Sequence, residues 1–396
     1  MQRIVSDRIL RFSVKHLVNL FLIFTLLISI TACSPPQRVS ATERLFLDLS
    51  LEFLDEYEIP KAIFKDTTVG GLSAIAYNRQ QDRFYVLSDD RSKLAPARFY
   101  TFALGFKQTD SDSGIAIDSA TIEDVTFLRD EQGNTYPAES IDFEGIALSP
   151  RGTVFISSEG DPKKEVKPFI AEFDLETGKK QLDVPLPKRY LNDNESAQPQ
   201  GIEENLAFES LTVNRSGLLP DDPFRLFTAT ESALIQDKSP EAEAAARIRF
   251  LHYVINPFGN PVLLAEHLYL LEPAPVEVIS NGLTELMALK TEGYFLSLER
   301  TFGFTGAGAK IFQVAIANAT DTTNITSLKG DLTQVQPMRK ELLFDLQKLG
   351  IYLDNIEGMT LGPRLPDGSQ SLLLISDDNF NEEQVSQLLL FRLVQN

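Results

Sequence analysis

The sequence predicts an all-β protein, a β-propeller of about five long four-stranded blades. Three observations lead there. Short apolar runs headed by an acid return roughly every 70 residues. A second set of apolar runs, each closed by an acid, keeps the same period. No long amphipathic helical stretch competes with the short runs rich in Ile, Val, Leu, Phe and Thr, which are separated by Gly, Pro, Asn and Asp.

The first set consists of "SAIAY" led by Ser73, "EGIAL" by Glu144, "ESLTV" by Glu209, "ELMAL" by Glu285 and "EGMTL" by Glu357, stepping by 71, 65, 76 and 72 residues. The second set ends in Asp89–Asp90 ("FYVLSDD"), Glu159 ("VFISSEGD"), Glu231 ("LFTATES"), Glu299 ("YFLSLER") and Asp377–Asp378 ("LLLISDDNF"), stepping by 70, 72, 68 and 78. Two markers holding one period define a repeat. Two further apolar runs follow each pair, such as "PFIAEFDL" and "LDVPLP" in the second unit, so each unit supplies four strands, the content of a propeller blade.

The last unit has only three runs, ending in "SQLLLFRLV". An isolated run near the start, "RLFLDLSLEFL" (Arg44 to Leu54), is expected to supply the missing strand and close the ring without an open edge. Six blades are the alternative if a long insertion, such as Ala317 to Leu346, builds a sheet of its own.

The chain starts with a basic head (Arg3, Arg8, Arg11, Lys15) and an apolar stretch from Leu17 to Ile30, which is short for a membrane span. It ends in "ITAC", resembling a bacterial lipobox with Cys33 as the lipidated residue. Residues 1–33 are therefore expected to be a lipoprotein signal, 34–43 a polar tether, and 44–396 a single propeller domain, exported and anchored to a membrane by lipid on its periplasmic or outer-membrane side. Cys33 is the only cysteine, which excludes an intrachain disulfide and a cysteine-based zinc site. The net charge of −19 repels nucleic acid, and a monomer is expected.

In an antiparallel pair the start of one strand neighbours the end of the next. Glu144, Glu209, Glu285 and Glu357, with Asp89, Glu159, Glu231, Glu299 and Asp377, are thus expected at one end of the propeller, as a ring of up to nine carboxylates around the axis. Such a ring repels itself unless a cation intervenes, and an all-oxygen set suits Ca²⁺ better than zinc. The competing reading is that these acids cap backbone amides in turns. Arg91, Arg300 and Asn379 follow the acids directly and are candidates for binding an anionic substrate. There is no G-x-S-x-G elbow, P-loop or dinucleotide fingerprint, His252 and His267 fall in outer-strand runs, and no nucleophile or base stands out.

The runs "GGLSAIAYN…RFYVLSDDR", "DFEGIALSPRGTVFISSEG", "NLAFESLTVN" and "NIEGMTLGP…LLLISDDNF" resemble the phytase-like family, described as having esterase-like activity of phytase, from about Gly70 to Asn396. The resemblance implies a β-propeller, an exported location and hydrolysis of phosphate or other esters. It departs at Ser73, where later copies carry Glu. Two functions are compatible with these residues: a Ca²⁺-assisted phosphoesterase or esterase taking a small anionic ester, and a non-catalytic ligand- or protein-binding propeller with a structural ion site.

Overall fold

In a computed structural model, residues 45–395 are described, apart from 110–113, 194–197, 216, 218, 240–244, 274–277 and 305. Cys33, the signal-like segment and the tether lie outside the described residues, as does much of Ser239 to Arg247.

Five four-stranded antiparallel sheets follow in chain order. A short hairpin of β2 (Ala62–Phe64) and β3 (Thr67–Val69) comes after β1 (Leu49–Ile59). Blade 1 holds β4 (Leu72–Asn78), β5 (Arg83–Ser88), β6 (Arg98–Gln108) and β7 (Ile115–Phe127). Blade 2 holds β8 (Phe143–Leu148), β9 (Thr153–Ser158), β10 (Phe169–Asp174) and β11 (Lys180–Val184). Blade 3 holds β12 (Phe208–Arg215), β13 (Phe224–Thr230), β14 (Arg247–Ile255) and β15 (Val262–Leu270). Blade 4 holds β16 (Val278–Ala288), β17 (Tyr294–Gly303), β18 (Gly306–Ala315) and β19 (Arg339–Asp345). Blade 5 holds β20 (Asn355–Arg364), β21 (Gln370–Asp377) and β22 (Ser386–Gln395), completed by β1.

The fold is therefore the expected propeller, with five blades rather than six. The insertion from Ala317 to Leu346 forms no extra sheet: β19, within it, is the fourth strand of blade 4. The closing strand pairs as expected but begins later than the predicted Arg44. Leu49 faces Gln395 and Ile59 faces Ser386, with a register shift between Phe53 and Asp55. Alternating exposure along "LSLEFLDEYEI" explains the choice: one face packs on the blade and the other carries Glu52, Glu56 and Glu58 outward.

The core lies between blades, one apolar layer at each interface. Leu72, Phe84 and Tyr100 of blade 1 meet Leu373, Ile375 and Leu388 of blade 5. Tyr85 and Phe99 meet Phe143, Ile146 and Phe173 of blade 2. Phe155 and Ile170 meet Leu211, Leu226 and Tyr253. Phe227, Phe250 and Tyr269 meet Leu286, Phe295 and Val314. Leu296 and Ile311 meet Met359, Leu374 and Leu389. Five such layers make a closed ring whose innermost strands are β4, β8, β12, β16 and β20.

Candidate functional site

Each innermost strand carries one extra residue near its start. Leu72 pairs with Ser88 and Ala74 with Leu87, leaving Ser73 unpaired. The same register shift leaves out Glu209 between Phe208 and Ser210, and Glu357 between Ile356 and Gly358. In β8 it falls between Phe143 and Ile146, at Glu144–Gly145. A β-bulge re-aims the extra side chain, and here it turns the glutamates toward the mouth of the propeller. The residue after the bulge must be small where neighbouring inner strands nearly touch: a Cβ on Gly145 would lie 2.3 Å from the Glu209 carbonyl oxygen.

Blade 4 departs from the expected pattern by one residue. Leu283 pairs with Glu299 and Glu285 with Leu298, so the bulged residue is Thr284, not Glu285. By the same register the residue that follows the partner of the pre-bulge position is Arg300, in the place held elsewhere by Asp89, Glu159, Glu231 and Asp377. A slip of one residue sends side chains to the opposite face. Glu285 is buried between inner strands and accepts hydrogen bonds from the Leu211 and Leu286 amides at 3.2 and 2.8 Å. Glu299 is buried beside Tyr269 Oη, at 2.5 Å, and Lys340 Nζ, at 2.5 Å, and it accepts from the Glu272 amide. Neither belongs to the mouth. The expected ring of nine carboxylates is thus seven, with a guanidinium inserted.

That mouth is a cavity of about 420 Å³ lined by Asp89, Glu144, Glu209, Glu357 and Asp377, with Arg91, Lys93, Arg300 and Asn379 at its edges. Carboxylate oxygens of Asp89, Asp142 and Glu144 all lie within 4.8 Å of one another. Asp89 Oδ1, Glu209 Oε2 and Glu231 Oε2 are buried without a hydrogen-bond partner in the protein. Glu159 accepts from the Ala207 amide. The Arg300 guanidinium holds Glu357 Oε1 at 2.7 Å and Glu231 Oε1 at 2.9 Å, and Asn355 Nδ2 donates to Glu357 Oε1 at 2.7 Å. Arg91 Nε lies 2.5 Å from Asp142, and its Nη2 donates to Asn205 at 2.8 Å.

Other acids at this end are structural. Asp90 pairs with the fully buried Arg98 and accepts from the Lys93 and Ala95 amides. Asp378 accepts from the Gly71 and Phe380 amides. Lys163 and Lys164 pair with Glu204, Glu139 and Asp161 at the surface. His252 packs 4.4 Å from the Phe227 ring in β14, and burial pushes its pKa down to about 4. His267 donates from Nδ1 to the Thr320 carbonyl at 3.1 Å, away from the mouth. Asn379, in a left-handed turn with φ 47°, donates its backbone amide to Asp377.

Burial dominates the electrostatics of the mouth. It raises the Asp89 pKa to about 8, with Asp142 adding repulsion. Asp142 rises to about 6 through burial, with Arg91 opposing. Glu357 rises to about 7 through burial, again against an arginine, Arg300. Glu144, Glu209, Glu159 and Asp377 are held well above the usual carboxylate range by burial and then by repulsion from neighbouring acids, Asp89 for Glu144, Glu231 for Glu209 and Glu159, and Glu357 for Asp377. Strongly shifted acids converging in a cleft mark a functional-site candidate.

Two contributors went unread in the sequence. Asp142 and Asn355 stand two residues before Glu144 and Glu357, in "DFEG" and "NIEG", so the repeat itself places a polar side chain at that offset. Asn205 carries no comparable signal.

A five-bladed β-propeller with an acid-lined, arginine-flanked mouth is the class of protein these features define. Within it, the chain belongs to the phytase-like family, described as esterase-like activity of phytase, whose model matches residues 67–380. No curated protein matches the sequence. Among solved structures it is similar to the catalytic domain of the Coprinopsis cinerea GH62 α-L-arabinofuranosidase (11% identity, 87% of this chain and 97% of that one, TM-score 0.39). It is also similar to Bacteroides ovatus xyloglucan PUL GH43B (13%, 84% and 53%, TM-score 0.41) and the Neurospora crassa Pan2 WD40 domain (7%, 88% and 97%, TM-score 0.32). At these scores none bears on chemistry.

Proposed function

We propose that the protein is a metal-assisted hydrolase of phosphate or carboxyl esters acting at the mouth of the propeller. The observation that carries this reading is the convergence of Asp89, Asp142 and Glu144 within 4.8 Å, with Asp89 and Glu144 lining a cavity that also presents Arg91 and Arg300. The donor set fits a hard cation such as Ca²⁺: it is all oxygen, and the buried Asp89 Oδ1 lacks a protein partner. Asp89, Asp142 and Glu144 would hold the ion, with Glu209 beside them. When bound, the ion supplies Lewis-acid polarisation of an ester oxygen and acidifies water.

The chain's own side chains do the rest. Arg91 and Arg300 orient an anionic ester, the first braced by Asp142 and Asn205, the second by Glu231, Glu357 and Asn355. Glu357, with a pKa near 7, exchanges a proton at neutral pH and is the side chain best placed for general acid–base work. Export and lipid anchoring through Cys33 would expose this mouth to extracytoplasmic esters. The amide-bound Glu285 and Asp378 favour a second reading, a binding propeller whose acids are mainly structural.

Turnover of p-nitrophenyl phosphate and p-nitrophenyl acetate with and without Ca²⁺ tests the proposal. Glu144→Gln should abolish the Ca²⁺-dependent fraction, and Arg91→Ala should raise KM for the phosphate ester. Ca²⁺ binding without turnover of either ester transfers the case to the binding reading.

A further inference from the structure

The end of the propeller away from the mouth has a chemistry of its own. β1 starts there, where Leu49 pairs with Gln395, and runs to Ile59 at the mouth end. Between blades 4 and 5 this end holds a cavity of about 510 Å³ whose apolar walls are Leu47, Leu49, Leu289, Leu361 and Leu393. Lys290 and Arg364 line it as well, and among the described residues no acid does. On a chain of net charge −19 that is a local inversion of sign. Both cations are exposed, and neither forms an ion pair among the described residues.

The chain enters the propeller at this cavity. Gln313 of β18 fixes the entry: its Oε1 accepts from the Leu47 amide at 2.7 Å, and its Nε2 donates to the Leu47 carbonyl at 2.9 Å. Leu47 and Leu49 are thereby held as cavity wall. Cys33 stands fourteen residues before Leu47, a reach of at most ~50 Å in extended chain, so a lipid anchor there keeps this end of the propeller near a bilayer. Leu47, Leu49, Leu361 and Leu393 are only half-buried, and an acyl chain lying against them removes further apolar surface from water. Phe258, 90% exposed in the turn between β14 and β15, stands at the same end. Apolar side chains are exposed at the mouth end too, Phe304 among them, but they flank a ring of carboxylates, which a sheet of phosphate headgroups avoids.

We infer that this cavity seats an anionic phospholipid of the membrane that holds the chain, with acyl carbons against the leucines and the phosphate met by Lys290 and Arg364. The propeller then sits with its mouth directed away from the bilayer. The inference rests on the proposed membrane anchoring and is independent of the hydrolytic reading. A single acyl anchor holds a protein on a bilayer only marginally, and a second, electrostatic contact makes the attachment stable. Each cation close to an anionic surface favours the docked state by about fivefold.

The test uses the full chain reconstituted in vesicles of phosphatidylcholine with phosphatidylglycerol that carry a spin-labelled lipid as quencher. A fluorophore is attached at Glu292→Cys, in the exposed turn beside the cavity, or at Phe304→Cys, exposed at the mouth end; the unsubstituted chain, whose only thiol is Cys33, is the blank. The probe at position 292 should be quenched and the probe at position 304 should not. Lys290→Ala with Arg364→Ala, both exposed and outside the core, should lower the ratio of docked to undocked protein about thirtyfold, as should vesicles of phosphatidylcholine alone. Leu361→Asn, checked for an unchanged circular dichroism spectrum, should lower it about tenfold by taking apolar wall from the acyl chain. Quenching at position 304 means the mouth meets the bilayer and overturns the inference. So does quenching at position 292 that ignores both phosphatidylglycerol and the paired cation variant, or that survives Leu361→Asn unchanged. Protein that stays on the vesicles with neither probe quenched also overturns it and leaves the anchoring intact, whereas protein that leaves the vesicles overturns both.

Discussion

If Asp89, Asp142 and Glu144 hold a cation, its affinity must fall steeply with acidification, and the structure sets the size of the fall. A carboxylate binds the ion only after losing its proton, so the cation and protons compete. Asp89 titrates near 8 and Asp142 near 6, both because burial penalises their charged forms. Lowering the pH from 8 to 6 protonates Asp89 almost fully, weakening apparent affinity ~50-fold, and half-protonates Asp142 for a further ~2-fold, about a hundredfold together. The sign for stability is the reverse of an ordinary salt-bridged acid. Both pKa values lie above those of the unfolded chain, so folding takes up protons. The contribution to metal-free stability is complete below about pH 4 and lost as pH rises through 6 for Asp142 and 8 for Asp89. Ca²⁺ should therefore raise the melting temperature much more at pH 8 than at pH 6. Isothermal titration calorimetry in two buffers of different ionisation enthalpy should count at least about one proton released per ion at pH 7, from Asp89, with the raised Glu144 adding to it. An affinity that changes less than threefold between pH 6 and 8, or no Ca²⁺ binding at either, would refute the reasoning.

Other expectations follow from the same geometry. Glu285→Ala strips the buried Leu211 amide of its acceptor and should cost ~1–3 kcal/mol in chemical denaturation while leaving Ca²⁺ affinity unchanged; lost Ca²⁺ binding would return Glu285 to the mouth. Deleting β1 removes the buried Leu54 and Ile59, each 5% exposed, and unpairs β22, a loss of at least ~3–6 kcal/mol visible as a lowered urea midpoint; an unchanged midpoint would mean the ring does not depend on its closing strand. Cys33→Ser should release the protein from the membrane fraction or leave its signal uncleaved, and unaltered fractionation and processing would end the lipid-anchor proposal.

The blade count and the closing strand were legible because both depend on period and on an unpaired apolar run, which survive sequence drift. The mouth was legible only in part. Glu285 follows and Glu299 precedes by one residue the positions that the sheet register assigns to the ring, Thr284 and Arg300. In "TELMAL" either Thr284 or Glu285 can be set against the glutamate of "ESLTV", and side-chain identity favours the wrong choice. Only the pairing of Leu283 with Glu299 decides it. Asp142 and Asn355 were missed for a different reason: at the strand's first turn a polar residue reads as a cap, and its direction depends on the bulge that follows.

The slip in blade 4 does more than remove two acids; it makes the ring unequal. Arg300 replaces a carboxylate at one of five equivalent positions and pairs with Glu231 and Glu357 on its two sides. Burial would ordinarily penalise a guanidinium, but these carboxylates hold its charge firmly in place, and its pKa is raised. The acids of blades 3 and 5 nearest to it therefore have an internal counter-ion. Those of blades 1 and 2 do not share Arg300: Asp89 and Glu144 face Asp142, whose only close cation among the described residues is Arg91. The carboxylates that lack Arg300 as a counter-ion are thus concentrated on the side made by blades 1 and 2, where three of them converge beside Arg91. A symmetric ring of nine acids would spread its need for a cation around the whole axis. For the proposed hydrolase, the unequal ring would seat a cation on one side opposite a fixed arginine on the other, which is the pairing of charges that holding an anionic ester between them would require.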